Sequence, residues 1–123
     1  TRAVHLQSDK TIITDAPIDN QGKGEAFSPT DMVASALGSC ILTIMGIAAE
    51  SRGIDIRGTR TEVTKVMKDN PRKISQIIIH IFFPLSLSTK NQTILEKSAF
   101  SCPVHHSLHQ NVVKNIYFHY PGS

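Results

Sequence analysis

The sequence has no tryptophan and only two cysteines, and aromatic residues make up 6% of its 123 residues. Two cysteines are too few for a scaffold held together by disulfides. Two Tyr and five Phe offer little surface for base stacking, and the lysines and arginines are scattered along the chain. Nucleic-acid binding usually shows clustered basic residues. With a formal net charge of only +3, we expect no nucleic-acid partner.

Long uninterrupted apolar runs are also missing. Residues 32–49 form the most apolar stretch, but small or hydroxyl residues interrupt it at Ser35, Gly38, Ser39, Thr43 and Gly46. A membrane-spanning helix needs roughly 18–20 mainly apolar residues, so we expect no membrane contact. No signal-peptide pattern is visible, which favours a cytoplasmic location, where cysteines are usually reduced or redox-active. Length and a hydrophobic content of 40% predict one domain over residues 1–123.

The clearest structural signal is the start of a helix. Ser28 can cap it, Pro29 suits the first helical position, and Asp31 follows the cap by three residues. Apolar residues then recur at helical spacing, and Arg52-Gly53 supplies a stop. The pattern predicts a helix over residues 29–51. Because small residues fill its other face, we expect it to be buried on all sides, and a chain this short covers such a helix best as a homodimer.

The remaining segments predict a mixed fold. Residues 2–7 and 11–14 indicate a first hairpin, followed by a loop over 15–26. Further elements are expected as strands over 54–68 and 74–83, joined by a turn at 69–72, helices over 89–100 and 103–110, and a last strand over 112–120. The order ββαββααβ, with helices segregated from strands, is typical of the α+β class.

The two cysteines occupy different local settings. Cys102 precedes Pro103 and is expected to cap a helix, where backbone N–H groups and the helix dipole favour a thiolate. His105 and His106, in the next turn, would add positive character. On local grounds Cys102 is the thiol that ionises more readily, although an unreactive, half-buried capping residue fits the same pattern. Cys40 lies in the middle of the apolar helix, where a cysteine is usually a small core residue.

A metal centre is the other chemistry that these residues could support. Cys102, His105, His106 and His109 follow the spacing of one helix face, and zinc accepts both ligand types. However, all four come from one short segment, and no C-x-x-C pair accompanies them. We therefore expect no metal and no bound cofactor. His5, His80 and His119 fall on predicted strands, where histidines are commonly ordinary surface or core residues.

Two motifs taken together resemble one known family. The segment F-S-P-T-D-M-V-A-S-A-L-G-S-C ends at Cys40, and C-P-V-H-H-S-L begins at Cys102. In order and separation they are similar to the motifs of the OsmC/Ohr family, and the strand pattern around them also fits. The resemblance covers nearly the whole chain.

This resemblance implies an OsmC-like α+β fold, with an antiparallel sheet, a long buried central helix and an intertwined homodimer. It also implies a thiol peroxidase that reduces organic hydroperoxides in an oxidative stress response. Cys40 would be the peroxidatic cysteine, and Cys102 the resolving one. An external dithiol would reduce the resulting disulfide. This assignment reverses the order of reactivity inferred from local helix position.

The chain departs from the peroxidases of that family at two positions. They carry a Glu ten residues before the helix cysteine, where this sequence has Thr30 with Asp31 beside it. They also carry an Arg in the preceding loop, where Lys23 is the only cation, and Lys does not reproduce the planar fork of Arg. The sequence is therefore more similar to the OsmC-like branch, and we expect Cys40 to be a poor nucleophile at neutral pH.

Supporting roles follow for five residues. Lys23 and His105 are the candidates for a positive charge near Cys40, and Asp31 for orienting Lys23. Met32 and Leu37 would help to line an apolar substrate site. Two other functions remain open: an OsmC-like protein that binds a small apolar ligand without catalysis, and a non-catalytic dimer whose cysteines are core residues.

Overall fold

A computed structural model of the chain describes residues 1–122. It divides into two compact units: Thr1–Val33, and the part of the chain that begins at Ala34. In the first unit, β1 (Arg2–His5) pairs antiparallel with β2 (Lys10–Ile13), so the predicted hairpin is confirmed. The following loop contains one turn of 3₁₀ helix at Ile18–Asn20. Asp15 orders this loop by accepting hydrogen bonds at Oδ2 from the backbone N–H groups of Lys23 and Glu25, each 3.2 Å long.

Helix α1 (Pro29–Ser51) has the bounds that the sequence predicts. Its start is a reciprocal capping box. Ser28 Oγ accepts from the Asp31 backbone N–H, and Asp31 Oδ2 accepts from the Ser28 backbone N–H, both at 3.0 Å. Each bond satisfies a backbone donor that the first turn would otherwise leave unpaired. At the other end Gly53 takes a left-handed conformation with φ of 66°, which a glycine adopts without strain.

The second unit contains a three-stranded sheet in the order β3 (Arg60–Lys68), β4 (Lys73–Phe82), β5 (Val113–His119). Strands β3 and β4 form the predicted antiparallel hairpin, with an irregularity in register between Val66 and Met67. Strand β3 begins six residues later than the sequence predicts. Asp55 forms a salt bridge with Arg57, and Thr59 bonds back to the Ile56 carbonyl, so this segment turns instead of extending.

The prediction of an antiparallel sheet is wrong for one pair of strands. Strand β5 runs parallel to β4, with His80 beside Tyr117 and Phe82 beside His119. Two helices, α2 (Thr89–Ala99) and α3 (Pro103–Ser107), separate the two strands along the chain. Parallel neighbours need such a crossover connection, which a tight hairpin cannot provide. The sheet is therefore mixed, and the α+β class is confirmed.

The core lies on one face of this sheet. Alternate residues of β4, namely Ile77, Ile79 and Ile81, are fully buried, as the period of two in a strand requires. Leu95 and Ala99 of α2, together with Cys102, complete the same cluster with the buried face of α1. Fully burying each of these large side chains stabilises the fold by roughly 1.5–3 kcal/mol.

Within a single chain α1 is buried on one face only. Its buried residues follow one face: Ala34, Leu37, Gly38, Ile41, Met45 and Ala49. The opposite face is open, and Ile47 is 62% exposed. By length and a mean hydropathy of 2.0, α1 could cross a membrane, contrary to our expectation from the interrupted run. A core helix of a globular domain passes the same test, and Leu37, Ile41 and Met45 pack into the core cluster.

Candidate active site

Cys40 lies on α1 at the border between the buried and open faces of the helix. It is half-buried, whereas Leu37 and Ile41 on either side of it along the chain are fully buried. Gly38 lets the helix approach β3 closely, since a Cβ atom there would lie 2.8 Å from Val63 Cγ2. The sequence pattern predicted a thiol deep in the core. The structure instead leaves part of Cys40 accessible.

Cys102 occupies the N-cap of α3, as the sequence predicts, with Pro103 at the first helical position. Its Sγ accepts a hydrogen bond from the His105 backbone N–H at 3.4 Å. The side chain is nevertheless fully buried, with 0% exposed. The two cysteines therefore have the reverse of the expected burial: the capping thiol is inside the core, and the mid-helix thiol reaches the surface.

The two thiols lie close enough within one chain for Cys40 to affect the pKa of Cys102. Burial raises the pKa of Cys102, and a side-chain hydrogen bond with Cys40 raises this pKa further. Hydrogen bonds from the backbone N–H groups of His105 and Val104 lower the pKa of Cys102, but by less than burial and Cys40 raise it. Our local prediction that Cys102 ionises readily is therefore wrong, because loss of solvation outweighs the cap. At neutral pH Cys102 is a protonated thiol beside Cys40, and both cysteines are free.

His105 does not supply the positive charge that the sequence suggested. Its pKa is lowered, first by burial and then by the charges of Lys114 and His106. Its ring meets Phe100 edge-on, with centroids 6.1 Å apart. The imidazole is therefore neutral around pH 7. His105 acts on Cys102 through its backbone N–H, a role that any non-proline residue could fill.

The histidines after Cys102 do not converge on one site. Helix α3 ends at Ser107, and Leu108 is already extended, so the helical spacing does not reach His109. His109 Nδ1 instead accepts a 3.0 Å hydrogen bond from the Asn111 backbone N–H. Within residues 1–122, no group of three or more His, Cys, Asp or Glu side chains is arranged to hold a metal ion.

The other residues named from the sequence fall into both units. Lys23, Asp31 and Met32 belong to the first, while Leu37 and Cys40 belong to the second. The Asp31 carboxylate accepts a hydrogen bond in the capping box, so it already stabilises the start of α1. Lys23 is exposed and Met32 half-buried. The supporting roles assigned to Lys23, Asp31 and Met32 stay predictions.

Sequence reasoning missed one open cleft at the carboxyl end of α1. It encloses about 550 Å³ and is lined by residues of the helix end and of the turn before β3: Gly46, Ala49, Glu50, Gly53, Ile54, Asp55, Ile56 and Arg57. The sequence predicts a strand from residue 54, and an extended strand there would leave no cleft. The D-x-R-G sequence at residues 55–58 was the available sign of a turn.

The chain also matches a known protein family. The family model described as OsmC-like protein matches residues 22–116, which include both cysteines. The chain belongs to the OsmC-like family. The resemblance inferred from the two cysteine motifs is thus confirmed, as is the OsmC-type fold.

Solved structures support the same assignment. A protein of Psychrobacter arcticus, named for an osmotic stress induced and detoxification response, is 52% identical. The match covers 96% of this chain and 86% of that one, with a TM-score of 0.92. An organic hydroperoxide resistance protein OsmC of Legionella pneumophila is 14% identical, covering 95% and 87% of the two chains with a TM-score of 0.76.

A third structure comes from Elizabethkingia anophelis and is named an organic hydroperoxide resistance protein. It is 12% identical, with coverage of 97% and 87% and a TM-score of 0.71. At these low identities the last two structures show the shared fold. A comparison with curated proteins finds no match.

Proposed function

We propose that this OsmC-like protein is a thiol peroxidase that reduces organic hydroperoxides with Cys40 and Cys102. The observation that carries the proposal is the proximity of the two thiols in one chain, close enough for Cys40 to raise the pKa of Cys102, with one thiol half-buried and the other fully buried. A substrate reaches the half-buried sulfur first. The buried sulfur is already beside it when the first chemical step has taken place.

The reaction proceeds in three steps, and Cys40 and Cys102 are the only groups of the protein that change. The Cys40 thiolate attacks the terminal oxygen of the hydroperoxide, the O–O bond breaks, and the alkoxide takes a proton and leaves as an alcohol. Cys40 is then a sulfenic acid. Cys102 sulfur attacks it, a disulfide forms, and the Cys102 proton leaves with the hydroxyl group as water. An external dithiol restores both thiols by exchange through a mixed disulfide.

The raised pKa of Cys102 fits its place in this sequence. A resolving cysteine that stays protonated does not compete for the hydroperoxide, because the thiolate is the nucleophile. With Thr30 in place of the family's Glu and no Arg in the loop before α1, we expect turnover to be slow.

The cleft at the carboxyl end of α1 supports a second candidate function. Its lining includes neither cysteine, so it could bind a small apolar ligand without any thiol chemistry. That protein would be an OsmC-like binding protein. The peroxidase function requires Cys40 and Cys102, whereas ligand binding in this cleft requires neither.

Steady-state turnover separates the two functions. Reduced protein, dithiothreitol and tert-butyl hydroperoxide are mixed, and loss of the hydroperoxide is followed. We expect consumption that Cys40→Ser abolishes and that Cys102→Ser slows, because dithiothreitol must then reduce the Cys40 sulfenic acid directly. Equal background consumption by all three proteins would exclude the peroxidase and leave ligand binding.

We further propose that the protein acts as a cytoplasmic homodimer. Exposed apolar side chains occur in both units, with Ile47 62% exposed on α1 and Leu6 92% exposed at the tip of the first hairpin. Apolar surface of this kind commonly marks an interface with another protein. A second copy of the chain would cover the open face of α1.

A further inference from the structure

Gly46 lies in the interior of α1, where packing within the chain gives no reason for a glycine. A glycine loses more backbone freedom in a helix than an alanine does. At Gly38 the close approach of β3 explains the residue, but a Cβ atom at Gly46 would meet nothing within 4 Å. Gly46 does border the cleft at the carboxyl end of the helix. The missing side chain therefore keeps this cleft open.

The fold fixes the walls of the cleft. Ala49 is part of the core cluster, and the half-buried Ile54 and Ile56 pack against it. The Ile54 backbone N–H donates to the Ala49 carbonyl at 2.9 Å, and the Thr59 backbone N–H donates to the Ile56 carbonyl at 3.1 Å. The volume of about 550 Å³ lies in the range of small-molecule sites. A site formed before binding avoids part of the cost of ordering.

The unbalanced charge of the lining is negative. Arg57 donates hydrogen bonds of 3.0 Å from Nε and Nη2 to the two carboxylate oxygens of Asp55, so these two groups neutralise each other. Within residues 1–122 the Glu50 carboxylate has no hydrogen-bond or ion-pair partner. The carbonyl groups at the end of α1 add the negative end of the helix dipole. Arg52 does not line the cleft, and its guanidinium donates to the Ala48 carbonyl at 3.4 Å.

We infer that this cleft binds a small aliphatic amine in its ammonium form. The hydrocarbon chain would lie along Ile54 and Ile56, where it leaves water. The ammonium group would lie at Glu50, whose carboxylate attracts a cation and repels an anion of the same length. The inference gives a ligand class to the second candidate function. It does not depend on the peroxidase, because neither cysteine lines the cleft.

The proposed dimer uses another face of the same helix. Successive residues of an α-helix project about 100° apart, so Ile47 points away from the direction of Gly46. A second copy that covers Ile47 therefore contacts a different face of α1. The amine site and the dimer can be tested on the same protein.

The probe is n-hexylammonium, titrated into reduced, ¹⁵N-labelled protein at pH 7 and followed by NMR. We expect saturable shifts that centre on the backbone amides of Gly46, Glu50, Gly53 and Ile54, with one site per chain. Two other ligands test the chemistry. Hexanoate reverses the charge, and n-propylammonium shortens the chain, so each should bind at least about fivefold more weakly.

Variants test the site itself. Glu50→Gln should raise Kd about threefold or more, and Gly46→Leu should abolish the saturable shifts by filling the cleft. Glu62→Gln removes an exposed carboxylate outside the cleft, and Cys40→Ser removes a thiol. Both should leave Kd unchanged. Binding that persists in Cys40→Ser would also stand if the parent protein showed no hydroperoxide turnover.

The contrary results are distinct. Equal Kd values for hexylammonium and hexanoate would overturn the ligand class. Unchanged binding in both Glu50→Gln and Gly46→Leu, or no saturable shift at tens of millimolar hexylammonium, would overturn the site. The three ligands are compared on the parent protein, so this comparison decides the inference even if Gly46→Leu does not fold.

Discussion

Tyr120 Oη donates a 2.6 Å hydrogen bond to Glu96 Oε2. Tyr120 follows the last strand, and Glu96 lies on α2, the helix that leads into the Cys102 segment. The Tyr120 ring also stacks on Phe83, with centroids 4.8 Å apart. This bond therefore joins the end of the sheet to the helix that positions the buried thiol.

Removing the hydroxyl group tests the value of that bond. We expect Tyr120→Phe to lower the free energy of unfolding by about 1.5–3 kcal/mol, because a half-buried carboxylate loses a charge-assisted partner. Glu96→Gln keeps an acceptor and should cost less. Urea unfolding measures both variants, and equal stability of Tyr120→Phe and the parent protein would contradict the assignment.

Alkaline pH should destabilise the protein. The pKa values of Cys102 and Tyr120 are raised in the folded state, each chiefly by burial. The unfolded chain therefore loses these protons at lower pH than the folded chain does. Their contribution is complete below the unfolded pKa values, about 8.5 for Cys and 10 for Tyr, and is lost as pH rises through the folded values.

The measurement is urea unfolding between pH 7 and 10.5. We expect the free energy of unfolding to fall in this window for the parent protein, and less steeply for Cys102→Ala and Tyr120→Phe. A stability that rises with pH across the window would contradict the raised values.

The close approach of α1 to β3 can be tested with two glycines of the same helix. Gly38→Ala places a Cβ atom 2.8 Å from Val63 Cγ2, whereas a Cβ at Gly46 meets nothing within 4 Å. We expect Gly38→Ala to destabilise by about 1–3 kcal/mol through overpacking. Gly46→Ala should stabilise by up to about 1 kcal/mol through helix propensity.

Thermal unfolding of the two variants gives the comparison directly. Combining Gly38→Ala with Val63→Ala should restore part of the loss, because the smaller side chain removes the clash. If Gly38→Ala were as stable as Gly46→Ala, the helix would not approach the strand as described.

The proposed homodimer gives a prediction at the open face of α1. Ile47→Glu places a charge where a second copy would bury an apolar side chain, so we expect the variant to be monomeric at micromolar concentration. Thr43→Glu tests the same exposed face one turn earlier. Light scattering reports the mass, and a monomeric parent protein would remove the proposal.

Local sequence signals predict the bounds of an element well where interactions between neighbouring residues determine them. Ser28, Pro29 and Asp31 fixed the start of α1 because the capping box involves neighbouring residues. They could not reveal that α1 keeps one face open, since that depends on what packs against the helix. The parallel pairing of β5 also depends on the crossover through α2 and α3, which no short pattern encodes.

The candidate site likewise has one feature that neighbouring residues predict and one that they do not. Pro103 made the N-cap position of Cys102 predictable. The burial of Cys102 comes from residues distant in sequence, such as Ile79 and Leu95, which share its core cluster. For that reason the local prediction that Cys102 ionises readily is wrong. The two cysteine motifs placed the chain in the right family because the whole fold constrains them.

The central claim is that Cys40 and Cys102 act as one redox pair. The most direct measurement is peptide mapping by mass spectrometry after reduced protein receives one equivalent of tert-butyl hydroperoxide. We predict a Cys40–Cys102 disulfide within one chain, with loss of two hydrogens, and a sulfenic acid at Cys40 in Cys102→Ser. Over-oxidised Cys40 with Cys102 still free in the parent protein, or two unmodified thiols, would contradict the claim.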